Sequence, residues 1–581
     1  MKFIRKALLV FFALLLILAI WAWWNRPQKV NMAAYVPADS LIYLEANDLP
    51  DIASGIIATD AWKALAPAAG IRSNLGNLGW LSRIASWTGI GSADAGVLSR
   101  AQIAVTVLGL DAADAGDTLK IKPRYALVVE THTGESRARS AVENRVGDFA
   151  RRAYGEPRIE QKELDGAKFT TWIAPDGERR IVAAVMGSVA VIGNDEGAVQ
   201  ACLAVRRNER PSLVGNPQVE EMRRRVGGND ALAFGYVSPD GAARLLEMAA
   251  TVYAAQISSD PRAQSAAASM LPPLAKKILG GAGWSARLSE GVIEDRYFLG
   301  LQNGVATNLQ GPLATQPNTS STASELLPAR VYSLSRYNYR DPAQAWRGLN
   351  STIASQADTL GSVLLARLLD ASLEPYGIEE PDSFLQAIGS EIVTARLDDS
   401  GSSTVTIVEV RDEKTLRDFV AKRLGKKPRI ENIGEAEMLV ANNEKQDASS
   451  FVNGRLLIGT AENVRRCLEA RRANQTLTAT DVFQRTMRLV SARDAANVVT
   501  FTEDYAPART FITALAAQRG VRERSFNELE VENALRQLRY AVSETRIADG
   551  GFEKRTRSAF GQFGTLASQF APADEAPEAQ P

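Results

Sequence analysis

His132 is the single histidine of the 581-residue chain, and Glu130 stands two residues before it. Residues i and i+2 of a β-strand lie on the same face, and a carboxylate that orients an imidazole is an arrangement used for proton transfer. The alternative is a solvent-facing ion pair at a strand end. The aligned positions later in the chain are Glu409 and Arg411, which keep an acid and a cation but no base. We therefore favour the ion pair.

The two cysteines of the chain, Cys202 and Cys467, lie in similar segments, IGNDEGAVQACLAVRR (192–207) and IGTAENVRRCLEARR (458–472). Cys202 with Val199 and Leu203, and Cys467 with Val464 and Leu468, have the i, i+3, i+4 spacing of the apolar face of an amphipathic helix. This spacing predicts two thiols buried as small core residues. A disulfide is the alternative, but it needs Cα atoms about 4.4–6.8 Å apart, which requires two lobes packed through these helices.

Motifs of known enzyme classes are absent from the sequence. It contains no G-x-S-x-G elbow, H-E-x-x-H, C-x-x-C or Walker A loop. Residues 281–286 fit a loose G-x-G-x-x-A pattern, but they follow a helical run and open a predicted hairpin, which is the reverse of a dinucleotide site. The paired carboxylates Asp398-Asp399 and Glu379-Glu380 fit turns and helix starts. We therefore assign no catalytic, cofactor-binding or metal-ligating residue and expect that the protein is not an enzyme.

The composition is that of a globular protein, with 45% hydrophobic and 23% charged residues. The 67 basic residues balance the 67 acidic ones, but five basic residues and no acid lie within the first thirty positions. The remaining chain is therefore slightly acidic, and nucleic acid is not an expected partner. A chain of this length exceeds the roughly 250–300 residues at which a single core stops growing, which predicts more than one domain.

The run ALLVFFALLLILAIWAWW (7–24) contains no charged residue and as a helix would be about 27 Å long. This nearly spans the hydrocarbon core of a bilayer. Tryptophans at its end suit the membrane interface, and the basic residues before it favour a cytoplasmic N-terminus. We predict a membrane anchor over residues 1–30. A cleaved signal peptide ending near Ala33-Ala34 is the alternative, and both place the bulk of the chain outside the cytoplasm.

The remainder of the chain repeats one series of patterns in the same order. Each copy has a strand after a proline, a helix begun by Thr133 or Asp412 as N-cap, a meander and then a cysteine helix. The first of the two capped helices has a predicted buried stripe that includes Phe149. Tight turns are predicted at Asp-Gly and Asn-Gly pairs, which are Asp165-Gly166, Asp176-Gly177 and Asn453-Gly454.

These patterns predict an α+β fold of two homologous lobes, each of mostly antiparallel sheet with packed helices, preceded by one N-terminal transmembrane helix. The predicted domains are an anchor (1–30), a first lobe (34–302), a linker (303–325), a second lobe (326–562) and a disordered tail (563–581).

The proline-strand openings, the IGT-E-VR-CL helix and the closing hairpins (283–299 and 538–557) together resemble a bacterial, membrane-anchored, extracytoplasmic family known only as a domain of unknown function, in a tandem repeat form. The resemblance covers about residues 35–560. It implies membrane association outside the cytoplasm and an uncharacterised role. Together with the predicted anchor and its flanking charges, we expect a single-pass protein of the bacterial cytoplasmic membrane, with its N-terminus inside and the bulk of the chain in the periplasm. The resemblance brings no active-site residues.

Three functions are compatible with these features. The first is a non-enzymatic module of the cell envelope that binds a protein partner or associates with itself. The second is a carrier or sensor of an apolar ligand such as lipid, in a cavity lined by residues such as Trp172, Phe169 and Met186. The third and least favoured is a hydrolase of an envelope polymer that uses dispersed carboxylates. The lack of a catalytic set favours the first.

Overall fold

The structure, a computed structural model, describes most of the chain between residues 29 and 569. The described residues are 29–46, 49–71, 101–114, 119–257, 272–302, 304–316, 322–357, 362, 369, 373, 378, 380–399, 403–425, 427–491, 495–518 and 527–569. The predicted anchor lies outside them, except for its last two residues. No helix within these ranges has the length and apolarity needed to cross a bilayer.

The chain divides into two compact units. Unit 1 comprises residues 1–58, 72–252 and 281–288, and unit 2 comprises residues 59–71, 253–280 and 289–581. The helix Asp60–Ala68 belongs to unit 2 although it lies early in the sequence. Two backbone hydrogen bonds hold it there, from Asp60 N to Gly291 O at 2.7 Å and from Asn527 N to Ala68 O at 3.3 Å.

Unit 1 is built on one antiparallel sheet. Its strands are β1 (Ile42–Ala46), β2 (Gln102–Asp114), β3 (Leu119–Glu130), β4 (Arg158–Leu164), β5 (Ala167–Ile173), β6 (Arg180–Met186), β7 (Val189–Gly193), β8 (Ala233–Val237) and most of β9 (Leu279–Ser289). They pair in the order β9-β8-β1-β2-β3-β7-β6-β5-β4. The predicted turn between β4 and β5 is confirmed, because Asp165 and Gly166 have φ angles of 50° and 74°, the left-handed region such turns require.

Helices lie between several strands of unit 1 in the sequence. They are Leu49–Ile57, Glu135–Tyr154, Glu196–Arg206, Pro217–Val226 and the first part of Pro239–Ile257, with short 3-10 turns at Met32–Tyr35 and Gly228–Asp230. Two sequence predictions for the second of these helices are wrong. Its N-cap is Gly134, without a side-chain cap, and the Thr133 hydroxyl lies outside the helix, 2.9 Å from that of Thr131. Phe149 is 54% exposed, and small alanines form the buried face.

Unit 2 is built on a second antiparallel arrangement of strands. These are β10 (Val292–Leu301), β11 (Ser333–Asn338), β12 (Ile388–Arg396), β13 (Thr404–Val410), β14 (Arg429–Ile433), β15 (Ala436–Val440), β16 (Asp447–Val452), β17 (Arg455–Thr460), β18 (Val498–Thr502), β19 (Ala541–Ala548) and β20 (Gly551–Ser558). They pair in the order β10-β20-β19-β18-β11-β12-β13-β17-β16-β15-β14. The predicted α+β class with mostly antiparallel sheet is therefore confirmed.

The two units share one strand order. In unit 1 the order from β9 to β4 is 9-8-1-2-3-7-6-5-4. In unit 2 the order from β19 to β14 is 19-18-11-12-13-17-16-15-14. Each label in the second series is the corresponding label in the first plus ten, so each strand has a counterpart with equivalent neighbours.

Unit 2 packs helices against both faces of its sheet. Its helices are Asp60–Ala68, Val305–Gln310, Pro342–Ala354, Pro381–Ala387, Glu413–Leu424, Ala461–Arg472, Asp481–Met487, Tyr505–Gln518, Glu528–Arg536 and Gly561–Gln569. On one face Val393, Val405 and Ile407 join a core with residues of the cysteine helix. On the other, Val408 and the partly buried Ile392 pack with Leu385 and Leu416. The alternation along β12 and β13 thus divides two hydrophobic cores.

The predicted linker and tail contain regular structure. Within residues 303–325 the helix Val305–Gln310 buries Val305, Ala306 and Leu309. The helix Gly561–Gln569 includes the first residues of the predicted tail, and the rest of the tail lies outside the described residues.

A network of charged side chains crosses β10, β20 and β19 in unit 2. Glu294 is fully buried and lies 2.8 Å from Arg296 and 2.9 Å from Arg557. Arg557 also donates to the Leu489 carbonyl and lies 3.6 Å from Glu544. Paired and hydrogen-bonded partners of this kind are what make a buried carboxylate tolerable.

Candidate ligand-binding site

A sheet face in unit 2 forms the floor of an apolar pocket. Tyr337 of β11 lies directly opposite Ile392 of β12, and Thr394 of β12 lies opposite Thr406 of β13. All four side chains project from the face opposite to Val393 and Val405, because neighbouring residues of a strand alternate. All four line the pocket.

The helix Pro342–Ala354 forms a wall of this pocket. Asp341 caps it by accepting a hydrogen bond from Gln344 N at 3.0 Å, and Pro342 occupies the first turn, where its missing N–H costs nothing. Pro342, Ala345, Trp346 and Leu349 line the pocket, because the i, i+3, i+4, i+7 spacing puts them on one helix face.

The pocket has a volume of about 200 Å³. Its remaining lining residues are Leu313, Tyr339, Leu373, Ile378 and Leu385. The described lining residues include no acid, lysine, arginine or histidine. An apolar cavity of about 150 Å³ accepts benzene, so the space is sufficient for a small ring or a short acyl segment but lies below the roughly 300 Å³ of a drug-sized site.

Four hydroxyl groups belong to residues that line this pocket. They belong to Tyr337, Tyr339, Thr394 and Thr406; Thr406 is only 1% exposed. Burial, with a further contribution from Tyr337, raises the pKa of Tyr339 to about 12. The Tyr339 phenol is therefore protonated at neutral pH and can donate as well as accept a hydrogen bond.

The sequence pointed to different residues for an apolar cavity. Phe169 and Trp172 lie in β5 of unit 1 and are 2% and 3% exposed, and Trp172 packs against Ala150 and Ala183. Met186 ends β6. None of the three lines the unit 2 pocket. The pocket's own aromatic residues lie in a segment whose only recognised signal was the opening strand of the second lobe.

Glu130 and His132 do not form a solvent-facing ion pair, because the Glu130 carboxylate is buried at 3% exposure. It accepts hydrogen bonds from the Tyr35 hydroxyl at 3.0 Å and from His132 N at 2.9 Å. The His132 ring contacts Gln102 at 2.9 Å. Burial, followed by Glu130, raises the pKa of Tyr35 to about 12.

The same cluster holds the segment that follows the predicted anchor. The Gln102 side chain accepts from Val30 N at 2.8 Å and donates to Val30 O at 3.0 Å. Together with the bond from Tyr35 to Glu130, these contacts fasten residues 30–35 to the sheet of unit 1. This role is structural, and it explains why an acid is buried beside the histidine.

Both cysteines are buried and unbridged. Burial raises the pKa of the Cys202 and Cys467 thiols to about 12, against smaller opposing effects of Arg210 and Arg466. Such thiols are poor nucleophiles. The predicted core role is confirmed, and the alternative disulfide is not formed.

A second pocket in unit 2, of about 190 Å³, has several charged residues in its lining. Its lining includes Arg330, Arg536, Arg539 and Asp504. Asp504 is 8% exposed and accepts a hydrogen bond from Ala559 N at 2.5 Å. Burial raises its pKa to about 7, although the Ala559 bond partly opposes this. A carboxyl group of this kind was not recognisable in the sequence, because its burial depends on the distant residue 559.

The remaining motif candidates are structural. Residues 281–286 lie inside β9 and do not begin a helix. Asp398 lies 3.0 Å from Arg466, and Glu380 lies 3.0 Å from Lys422; Glu379 lies outside the described residues. Within the ranges the structure covers, no group of three or more histidine, cysteine or acidic side chains could hold a metal ion.

Comparisons with known proteins identify no relative. No protein-family model, curated protein or solved structure matches the chain.

Proposed function

We propose that the protein is a non-enzymatic binding protein of the bacterial cell envelope, anchored in the cytoplasmic membrane by its N-terminal segment, and that its unit 2 pocket takes an apolar ligand. The observation that carries this proposal is the pocket itself. Its described lining residues are apolar apart from four hydroxyl groups, and none of them is charged. Clefts with this balance of apolar surface and few polar groups are typical of small-molecule sites.

The anchor, the extracytoplasmic location and the family resemblance belong to the same proposal. The apolar run at residues 7–24 supports the anchor. The common strand order of units 1 and 2 supports a duplication. Copying one ancestral unit explains why the same complex order occurs twice more simply than two independent origins do.

Native mass spectrometry of the full-length protein released from mild detergent tests the ligand. We expect a co-purified apolar compound in the wild type. It should be lost in Ala345→Trp, which fills the space beside Trp346, and in Leu349→Trp, which fills it from the next turn. Gln344→Trp is the matched control, because Gln344 is exposed on the same helix.

Circular dichroism establishes that each variant is folded. Retention of the same compound by all four proteins, or no bound compound in the folded wild type, would contradict the proposal.

A protein-binding role is the second candidate, and the outermost strands favour it. β4 pairs only with β5 and β14 only with β15 among the described strands. Ile159 of β4 and Ile430 of β14 are 53% and 59% exposed and occupy equivalent places in the two units. An open strand edge can pair with a strand of another chain. Cross-linking in intact cells should recover a partner, or a second copy, that Ile159→Lys and Ile430→Lys lose together.

A further inference from the structure

We infer that the ligand of the unit 2 pocket is an uncharged amphiphile, with an apolar body and a neutral oxygen-bearing end that hydrogen-bonds to Tyr337 and Tyr339. This inference rests on the proposed function and specifies its ligand class. It divides apolar ligands into three chemical groups: hydrocarbons, neutral alcohols or esters, and carboxylates. The pocket distinguishes among them by its hydroxyl groups and by the lack of charge among its described lining residues.

The hydroxyl groups argue against a pure hydrocarbon. Tyr337 and Tyr339 are two residues apart on an extended segment, which directs both rings to the same side. A ligand that fills the pocket would displace water from these hydroxyl groups, and a ligand oxygen would replace the hydrogen bonds that the water had made. Thr394 and Thr406 add two further hydroxyl groups on the floor. A ligand that presents only methylene groups would leave all four without a partner.

The absence of a cation among the described lining residues argues against a carboxylate. A buried anion needs a charged partner or several hydrogen-bond donors to offset its desolvation. The nearest arginine in the strand, Arg336, points to the opposite face from Tyr337. It is already engaged with Glu391, whose carboxylate lies 2.7 Å away and also binds Arg455 at 2.9 Å. Its charge is therefore not available to a ligand in the pocket.

Three ring compounds of similar size test the inference: cyclohexane, cyclohexanol and cyclohexanecarboxylate. Their binding to the full-length protein in amphipol is measured at neutral pH by saturation-transfer NMR with competition. We expect cyclohexanol to bind about three- to tenfold more tightly than either of the others, the factor that one well-placed hydrogen bond provides.

Tyrosine variants identify the polar contact. Tyr337→Phe and Tyr339→Phe should each weaken cyclohexanol binding by about three- to tenfold and leave cyclohexane binding unchanged. Tyr332→Phe is the matched control, because Tyr332 lies on the same segment beneath Arg396 and does not line the pocket. All three variants lose one tyrosine hydroxyl group, so they differ only in whether that hydroxyl belonged to a residue that lines the pocket.

The possible results distinguish failure of the neutral-amphiphile inference from failure of the proposed apolar ligand site. Equal or tighter binding of the carboxylate, or cyclohexanol binding that neither tyrosine variant weakens, overturns the neutral amphiphile while leaving an apolar site in place. Binding of none of the three compounds, or binding that Ala345→Trp and Leu349→Trp leave intact, overturns both.

Discussion

Replacement of Asp504 by asparagine should stabilise unit 2 at alkaline pH and have little effect in acid. Asp504 follows β18, and its carboxyl group accepts one backbone hydrogen bond, from Ala559 N. An asparagine side-chain oxygen can accept the same bond, so the substitution removes the charge while the shape and the contact are kept. The variant therefore isolates the cost of ionising this buried group.

The magnitude follows from the pKa. Burial raises the Asp504 pKa from 3.8 to about 7, so the folded protein holds this proton more tightly than the unfolded chain does. The resulting stability is fully present below pH 3.8 and is lost as pH rises towards and through about 7. Each pH unit of this interval corresponds to about 1.4 kcal/mol. The asparagine variant has no such loss, and its advantage over the wild type should grow by about 3 kcal/mol between pH 5 and pH 8.

Hydrogen–deuterium exchange measures this locally. The opening free energies of peptides from β18 and from residues around Ala559 are compared between the wild type and Asp504→Asn at pH 5 and pH 8. Intrinsic exchange rates are the same in the two proteins and cancel. Asp399→Asn, which removes an exposed carboxylate of unit 2, is the control and should show no such growth. A difference between wild type and Asp504→Asn that is equal at both pH values would refute the reasoning.

Three further predictions concern buried groups. Glu294→Ala should lower the free energy of unfolding of unit 2 by about 3 kcal/mol in urea titration, because Arg296 and Arg557 lose their buried carboxylate partner and Arg557 keeps only Glu544, at 3.6 Å; a loss below about 1 kcal/mol would contradict this. Cys202 and Cys467 should fail to react with a thiol-specific disulfide reagent at pH 8 until guanidinium unfolds the protein, when two thiols should react; rapid labelling of the native protein would show the burial to be wrong. Tyr35→Phe should cost about 1.5–3 kcal/mol and increase proteolysis before residue 36, and unchanged cleavage would exclude the hydroxyl as a fastening contact.

Local features of the fold were predictable from local signals. The turn at Asp165-Gly166 was recognisable because few residue pairs accept two positive φ angles. The Asp412 N-cap was recognisable because its side chain accepts a bond from Thr415 N, three residues on, at 3.2 Å. The thiols were predicted to be buried from helical spacing alone. In each case the determining interaction lies within a few residues of sequence.

The candidate site was not predictable in this way. Leu313, Tyr337, Trp346, Leu385 and Thr406 meet only when three strands and two helices are assembled, and no spacing in the sequence records this. The burial of Glu130 was missed for the same reason, because its partner Tyr35 lies 95 residues away. Conversely, the aromatic residues of β5 suggested a cavity although they pack in a core. An aromatic residue in the sequence is compatible with either position, since it can line a cavity or fill a hydrophobic core.

The fastening of residues 30–35 to unit 1 has a consequence for a protein held in a bilayer. If the proposed anchor ends near Trp24, the chain up to Lys29 spans at most about 18 Å even when fully extended. With so short a connection, unit 1 would have little rotational freedom. It would lie close to the lipid headgroups, with one side facing them. A hydrophobic compound leaving the bilayer would then travel only a short way through water before it reached the protein.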